Sequence, residues 1–102
     1  MDKQEIKTRL FEAVRNNPHR HDIKSVAIFG SYVHGTAKED SDIDVLIEFI
    51  PTATVGFFKL AQIQRSLGDI LGKKVDLLTP EAISEYFRNE VLQDAEVVYY
   101  EK

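Results

Sequence analysis

Three aspartates and one Gly-Ser pair carry the chemistry of this chain. The run Ile28-Phe29-Gly30-Ser31 is apolar until it ends in Gly-Ser. Ten residues further on, Ser41-Asp42-Ile43-Asp44-Val45-Leu46-Ile47 alternates two acids with aliphatic residues. A third apolar run, Lys74-Val75-Asp76-Leu77-Leu78, holds another acid at its centre. Aspartate is disfavoured in strands and costly in cores, so three of them on strands call for a cation. Asp42 and Asp44 share a face of one strand, with Cα atoms about 6.5–7 Å apart. Oxygen-only ligands with open positions suit Mg²⁺, or Mn²⁺. Gly30 has no Cβ, which lets a phosphate approach the backbone, and amides opening a helix at Ser31 favour an anion. The expected chemistry is metal-assisted reaction of a nucleoside triphosphate, with Asp76 taking a hydroxyl proton or sharing a second metal.

The elements that must position these residues can be read from spacing. Ile6, Leu10, Ala13 and Val14 recur at helical intervals, and Asp2 precedes Glu5 as in a capping box, which predicts a helix over about residues 3–16, stopped at Asn16-Asn17-Pro18. Residues 25–29 read as a short buried strand, followed by a brief helix from Ser31 to about Gly35 and a polar loop over 36–41. Ile43–Phe49 reads as a strand ended by Pro51. An amphipathic helix carries Phe57, Leu60, Ala61, Ile63, Gln64, Leu67, Ile70 and Leu71 and stops at Gly72. Residues 74–78 form a third strand. Thr79 and Pro80 suit the start of a helix bearing Ile83, Tyr86, Phe87, Val91 and Leu92, and residues 97–100 an edge strand.

Topology then tests whether the acids converge. Gly30 ends the first strand and Asp42 starts the second, so a shared site requires that the two run antiparallel. The helix between the second and third strands is a crossover that usually joins parallel strands, which brings Asp76 to the same end.

The whole chain bounds these expectations. Its 102 residues fit a single domain over 1–102, with 43% hydrophobic and 29% charged residues, too small for a separate recognition domain. There is no cysteine, which excludes disulfides and thiolate zinc sites and fits a cytoplasmic protein. No signal-like or membrane-length apolar run is present. The net charge of −4 argues against binding duplex DNA through a basic face. The cluster Arg15, His19, Arg20, His21 and Lys24 reads as a solvated helix end and loop. His34 reads as a solvated turn residue, Lys59 and Arg65 as helix-face cations, Glu39 and Asp40 as loop charges. Phe57, Phe58, Tyr86 and Phe87 read most simply as core, or in part, with Tyr99 and Tyr100, as a partner surface.

Gly30-Ser31, ten residues, then Asp42-x-Asp44 resembles the signature of the DNA polymerase β-like nucleotidyltransferases. The flanking residues 27–32 and 41–49, with residues 71–79 and, less distinctively, 88–95, are similar to its minimal nucleotidyltransferase (MNT) branch. The resemblance implies an α+β fold, a two-layer mixed sheet with flanking helices. It also implies Mg²⁺-dependent transfer of a nucleoside monophosphate, with Asp42, Asp44 and Asp76 as catalytic metal ligands and Gly30 and Ser31 binding the triphosphate. Stand-alone MNT proteins are commonly paired with a HEPN-domain ribonuclease toxin, which they neutralise as antitoxins by transferring AMP from ATP to a tyrosine, so a hetero-oligomer with such a toxin is the implied assembly. Where many members carry an arginine soon after the serine, this chain reads Tyr32-Val33-His34, so a basic phosphate contact is missing or supplied elsewhere. Two alternatives stand beside this one: a binding module that neutralises its partner by occlusion, and transfer to a small molecule or RNA. The base and the acceptor are not encoded in the motif.

Overall fold

The helix over Lys3–Arg15 (α1) starts where the Asp2 side chain accepts the Glu5 amide at 2.8 Å, a cap that satisfies one orphan donor. The structure, a computed structural model, describes residues 1–101. It continues through β1 (Ile23–Phe29), α2 (Ser31–His34), β2 (Ile43–Phe49), α3 (Phe57–Leu71), β3 (Val75–Leu78), α4 (Glu85–Asp94) and β4 (Glu96–Tyr100). Single 3-10 turns, Arg20–Asp22 and Pro80–Ala82, precede β1 and α4.

The four strands form one mixed sheet in the order β3-β2-β1-β4. β1 is antiparallel to both β2 and β4, and β2 is parallel to β3. Alternation puts Ile43, Val45 and Ile47 of β2 on one face with Val75 and Leu77 of β3, and these pack with Val26 and Ile28 of β1 in a single cluster. Ile6, Leu10 and Val14 of α1 and Ile63, Leu67 and Leu71 of α3 complete it, each at most 1% exposed. The fold is thus α+β, with two helices layered on one face of a mixed sheet.

The opposite face carries Phe29, Asp44, Asp76 and, further along, the buried Ala27 and Leu46, which lie outside the main cluster. Both crossovers, β2-α3-β3 and β3-α4-β4, join parallel strands but step in opposite directions across the sheet. Right-handedness therefore puts α3 and α4 on opposite faces. α4 crosses the carboxylate-bearing face and buries none of its residues.

The elements expected from the sequence form, with three differences. β1 begins at Ile23, two residues early, with a register shift between Ile23 and Ser25. Pro80 opens only a 3-10 turn, after which Ile83 and Ser84 are extended or bent and α4 starts at Glu85. The aromatic set is not core: Phe57, Phe58, Tyr86 and Phe87 are 79%, 84%, 88% and 60% exposed. They stand at or near the first turns of α3 and α4, beyond the reach of the sheet, whereas helical spacing alone cannot say where a stripe runs past its partner. Tyr99 does pack against the core, and β4 is an edge as expected. Among the described residues, no helix is long and apolar enough to cross a membrane.

Candidate active site

The register brings two of the three acids side by side. Asp44 pairs with Phe29 on one side and with Asp76 on the other, so both carboxylates project from adjacent strands at the same level and on the same face. Asp42 precedes β2 by one residue and lies on that face by alternation. Its backbone is set by a tight turn in which the Lys38 amide donates to Ser41 Oγ at 2.7 Å and the Ser41 amide to the Lys38 carbonyl at 3.0 Å. The Ile43 amide donates to the Lys74 carbonyl at 3.0 Å, tying the start of β2 to that of β3. The antiparallel first pair and the parallel second pair are those that convergence requires.

Gly30 is fixed by two independent demands. Its backbone, at φ 75° and ψ −144°, lies where only glycine is comfortable. A Cβ there would also sit 2.2 Å from Asp44 Oδ2. The end of β1 is therefore pressed against the Asp44 carboxylate. Gly30 is the N-cap of α2 and Ser31 its first residue, so Ser31 is not the capping side chain that its type suggests. Gly30 has no side chain with which to cap; the Val33 and His34 amides donate to its carbonyl at 3.1 Å, which leaves those of Ser31 and Tyr32 for an anion.

The electrostatics are those of an unneutralised site. Burial, then the charges of Asp76 and Asp42, push the Asp44 carboxyl above its ordinary range. The cation paired with these acids among the described residues is Lys74, whose Nζ lies 3.6 Å from Asp42 Oδ2. Among the described residues, no three acidic or imidazole groups form a ready-made metal cage. Asp44 and Asp76 supply adjacent oxygen donors, and the half-exposed Asp42, which also faces Lys74, stands close enough for its charge to act on Asp44. This donor set fits a hard divalent ion that keeps open positions, rather than a closed structural site.

Other residues weighed in the sequence fall elsewhere. Lys59 bonds Asp22 Oδ2 at 3.0 Å and the Thr54 carbonyl at 3.1 Å, at the far end of the sheet from the acids. Glu39 lies in the loop, where its carbonyl accepts a bond from Lys73 Nζ. Tyr32 is buried in the core. His34 is exposed, with Nε2 3.5 Å from Asp94 Oδ2. Lys73, Lys74 and Arg65 line an open groove between α3 and the start of β3. Lys73 and Lys74 lie in the stretch 71–79 that carries the family resemblance, which implies no role for them, although they stand three and two residues before the strand acid Asp76.

The family profile described as the nucleotidyltransferase domain matches residues 7–98. The protein adenylyltransferase MntA of Thermococcus cleftensis is 35% identical over 98 residues, covering 94% of this chain and 93% of that protein. A structure described as a candidate minimal nucleotidyltransferase superposes with a TM-score of 0.75 at 33% identity, covering 94% of this chain and 95% of the other. A tri-AMPylated Shewanella oneidensis HEPN toxin in complex with its MNT antitoxin contains a chain with a TM-score of 0.67 at 19% identity, covering 97% of this chain and 73% of that one, a likeness of fold.

Proposed function

Because the chain belongs to the nucleotidyltransferase domain family and is a nucleotidyltransferase, we propose that it is a protein adenylyltransferase, the antitoxin partner of a HEPN-domain toxin, and transfers AMP from ATP to a tyrosine hydroxyl of that toxin. The observation that carries the reading is the lateral pairing of Asp44 with Asp76, beside a Gly30 packed against Asp44. The names of the relatives support the protein acceptor and the toxin partner.

Gly30 and the amides of Ser31 and its neighbours seat the triphosphate, and the Ser31 hydroxyl adds a donor. Asp42, Asp44 and Asp76 would hold Mg²⁺, which would offset phosphate charge and stabilise charge developing on the leaving group. The acceptor oxygen forms a bond to the α-phosphorus as the bond between that phosphorus and the bridging oxygen breaks. Pyrophosphate departs with the electron pair, and the hydroxyl proton passes to Asp76. Asp76 is on β3, an edge strand, so an acceptor on a large partner can reach it. Lys74, beside Asp42, supplies positive charge near the triphosphate in the absence of the motif arginine.

The test is to mix the chain, MgATP and a HEPN-domain toxin, then map modified residues by mass spectrometry. AMP on a tyrosine is expected. An unmodified partner, neutralised equally well by the Asp42→Asn/Asp44→Asn variant, would establish occlusion instead.

A further inference from the structure

Among the described residues, α4 alone of the four α-helices buries no side chain. Ten residues do not hold a helix in water by themselves. What ties α4 down is Arg88, whose Nε donates to the Pro80 carbonyl at 2.8 Å and whose Nη2 donates to the Ile83 carbonyl at 3.0 Å and the Glu81 carbonyl at 3.4 Å. The one cation of the helix is thereby engaged with backbone oxygens. Glu85, Glu90 and Asp94 dominate the remaining charge, and Tyr86, Phe87 and Leu92 stay 88%, 60% and 41% exposed.

A groove of about 350 Å³ separates α4 from the end of β1. Phe29, Phe87 and Val91 give it apolar walls, and His34, Glu90 and Asp94 line it as well. Phe87, Glu90, Val91 and Asp94 follow helical spacing, so one side of α4 faces the groove. Gly30, which touches Asp44, also lines it. The groove therefore opens beside the candidate active site.

Charge selects the occupant. The carboxylates of Glu90 and Asp94 repel phosphate, so the triphosphate keeps to the Gly30 end and leaves the α4 side of the groove to another occupant. A second copy of this chain would bring a further net charge of −4. A protein surface offering an apolar side chain flanked by lysine or arginine complements both the walls and the carboxylates. We propose that this groove and the adjoining face of α4 are the docking surface for the protein acceptor, a partner that seats an apolar side chain between Phe29 and Phe87 and sets basic residues against Glu90 and Asp94. The inference rests on the protein-acceptor reading above and adds where and by what chemistry the acceptor is held.

Two variants test it, Tyr86→Ser/Phe87→Glu and Glu90→Lys/Asp94→Asn, with a HEPN-domain toxin as probe. All four positions are exposed, so melting curves should match that of the unaltered chain. Calorimetry should show MgATP affinity unchanged and partner affinity reduced at least tenfold in each variant, with the KM for the partner raised to match. Partner binding equal to that of the unaltered chain in both variants overturns the proposal while leaving the transfer reading intact. If the unaltered chain binds the partner but transfers no AMP, the adenylyltransferase reading fails, and the same affinity comparison still decides the docking surface. No binding by the unaltered chain, or a self-dimer in sedimentation that Phe87→Glu dissolves, also overturns it.

Discussion

Replacing Gly30 with alanine should damage the active site more than the fold. At φ 75° and ψ −144°, a residue with a Cβ is strained by about 1–3 kcal/mol. At roughly 4–8 °C per kcal/mol for a domain of this size, the melting temperature should fall by roughly 5–20 °C. The new methyl would stand 2.2 Å from Asp44 Oδ2, and ordinary contact begins at 3.4 Å, so the carboxylate has to retreat by about 1.2 Å. A misplacement of that size costs on the order of 100-fold in rate. Gly35 is the control. It also has a positive φ, 75°, but nothing lies within 4 Å of its Cβ position. Gly35→Ala should cost about 1–2 kcal/mol and leave the rate per folded molecule unchanged. The assay is thermal denaturation alongside AMP transfer, normalised to folded protein. Equal rate losses in the two variants, or none at Gly30, would refute the claim that Gly30 exists to admit the Asp44 carboxylate.

The raised pKa of Asp44 predicts a pH dependence whose sign is fixed. The folded carboxyl holds its proton more tightly than the unfolded one, whose ordinary value is 3.8, so the metal-free protein loses stability as pH rises from about that value through the raised one. Asp44→Asn should therefore stabilise the metal-free chain at neutral pH, and Mg²⁺ should raise the melting temperature of the unaltered chain only, as read by scanning calorimetry with and without EDTA. At the β3 edge, the Leu77 amide donates to Gln64 Oε1 at 3.0 Å. Gln64→Ala should cost about 1 kcal/mol in urea denaturation, and amide exchange at Leu77 should accelerate.

The candidate site was legible because its chemistry is written in short-range spacing. Asp42 and Asp44 alternate at the start of one strand, Gly30 ends another, and a crossover that joins parallel strands carries Asp76 to the same end. The lateral pairing of Asp44 with Asp76 was not legible, since register depends on how strands slide before they lock. Nor was the hold of Lys74 on Asp42, which needs the start of β3 to lie beside the loop before β2. The aromatic residues of α4 misled for a related reason. Apolar spacing marks a face that wants covering, and the sequence does not say whether the covering is part of the same chain. The break at Ile83 escaped because Pro80 fits the first turn of a 3-10 helix as well as that of an α-helix.

The most direct test of the central claim, that Gly30-Ser31 and the three aspartates form a nucleotidyl-transfer centre, uses ATP labelled at either the α- or the γ-phosphate. With Mg²⁺ and the proposed HEPN-domain partner, label from the α position should become covalently attached, label from the γ position should leave as pyrophosphate, and the Asp42→Asn and Asp44→Asn variants should attach neither while keeping the fold. Retention of the γ label, or undiminished α-label transfer by those variants, would contradict it.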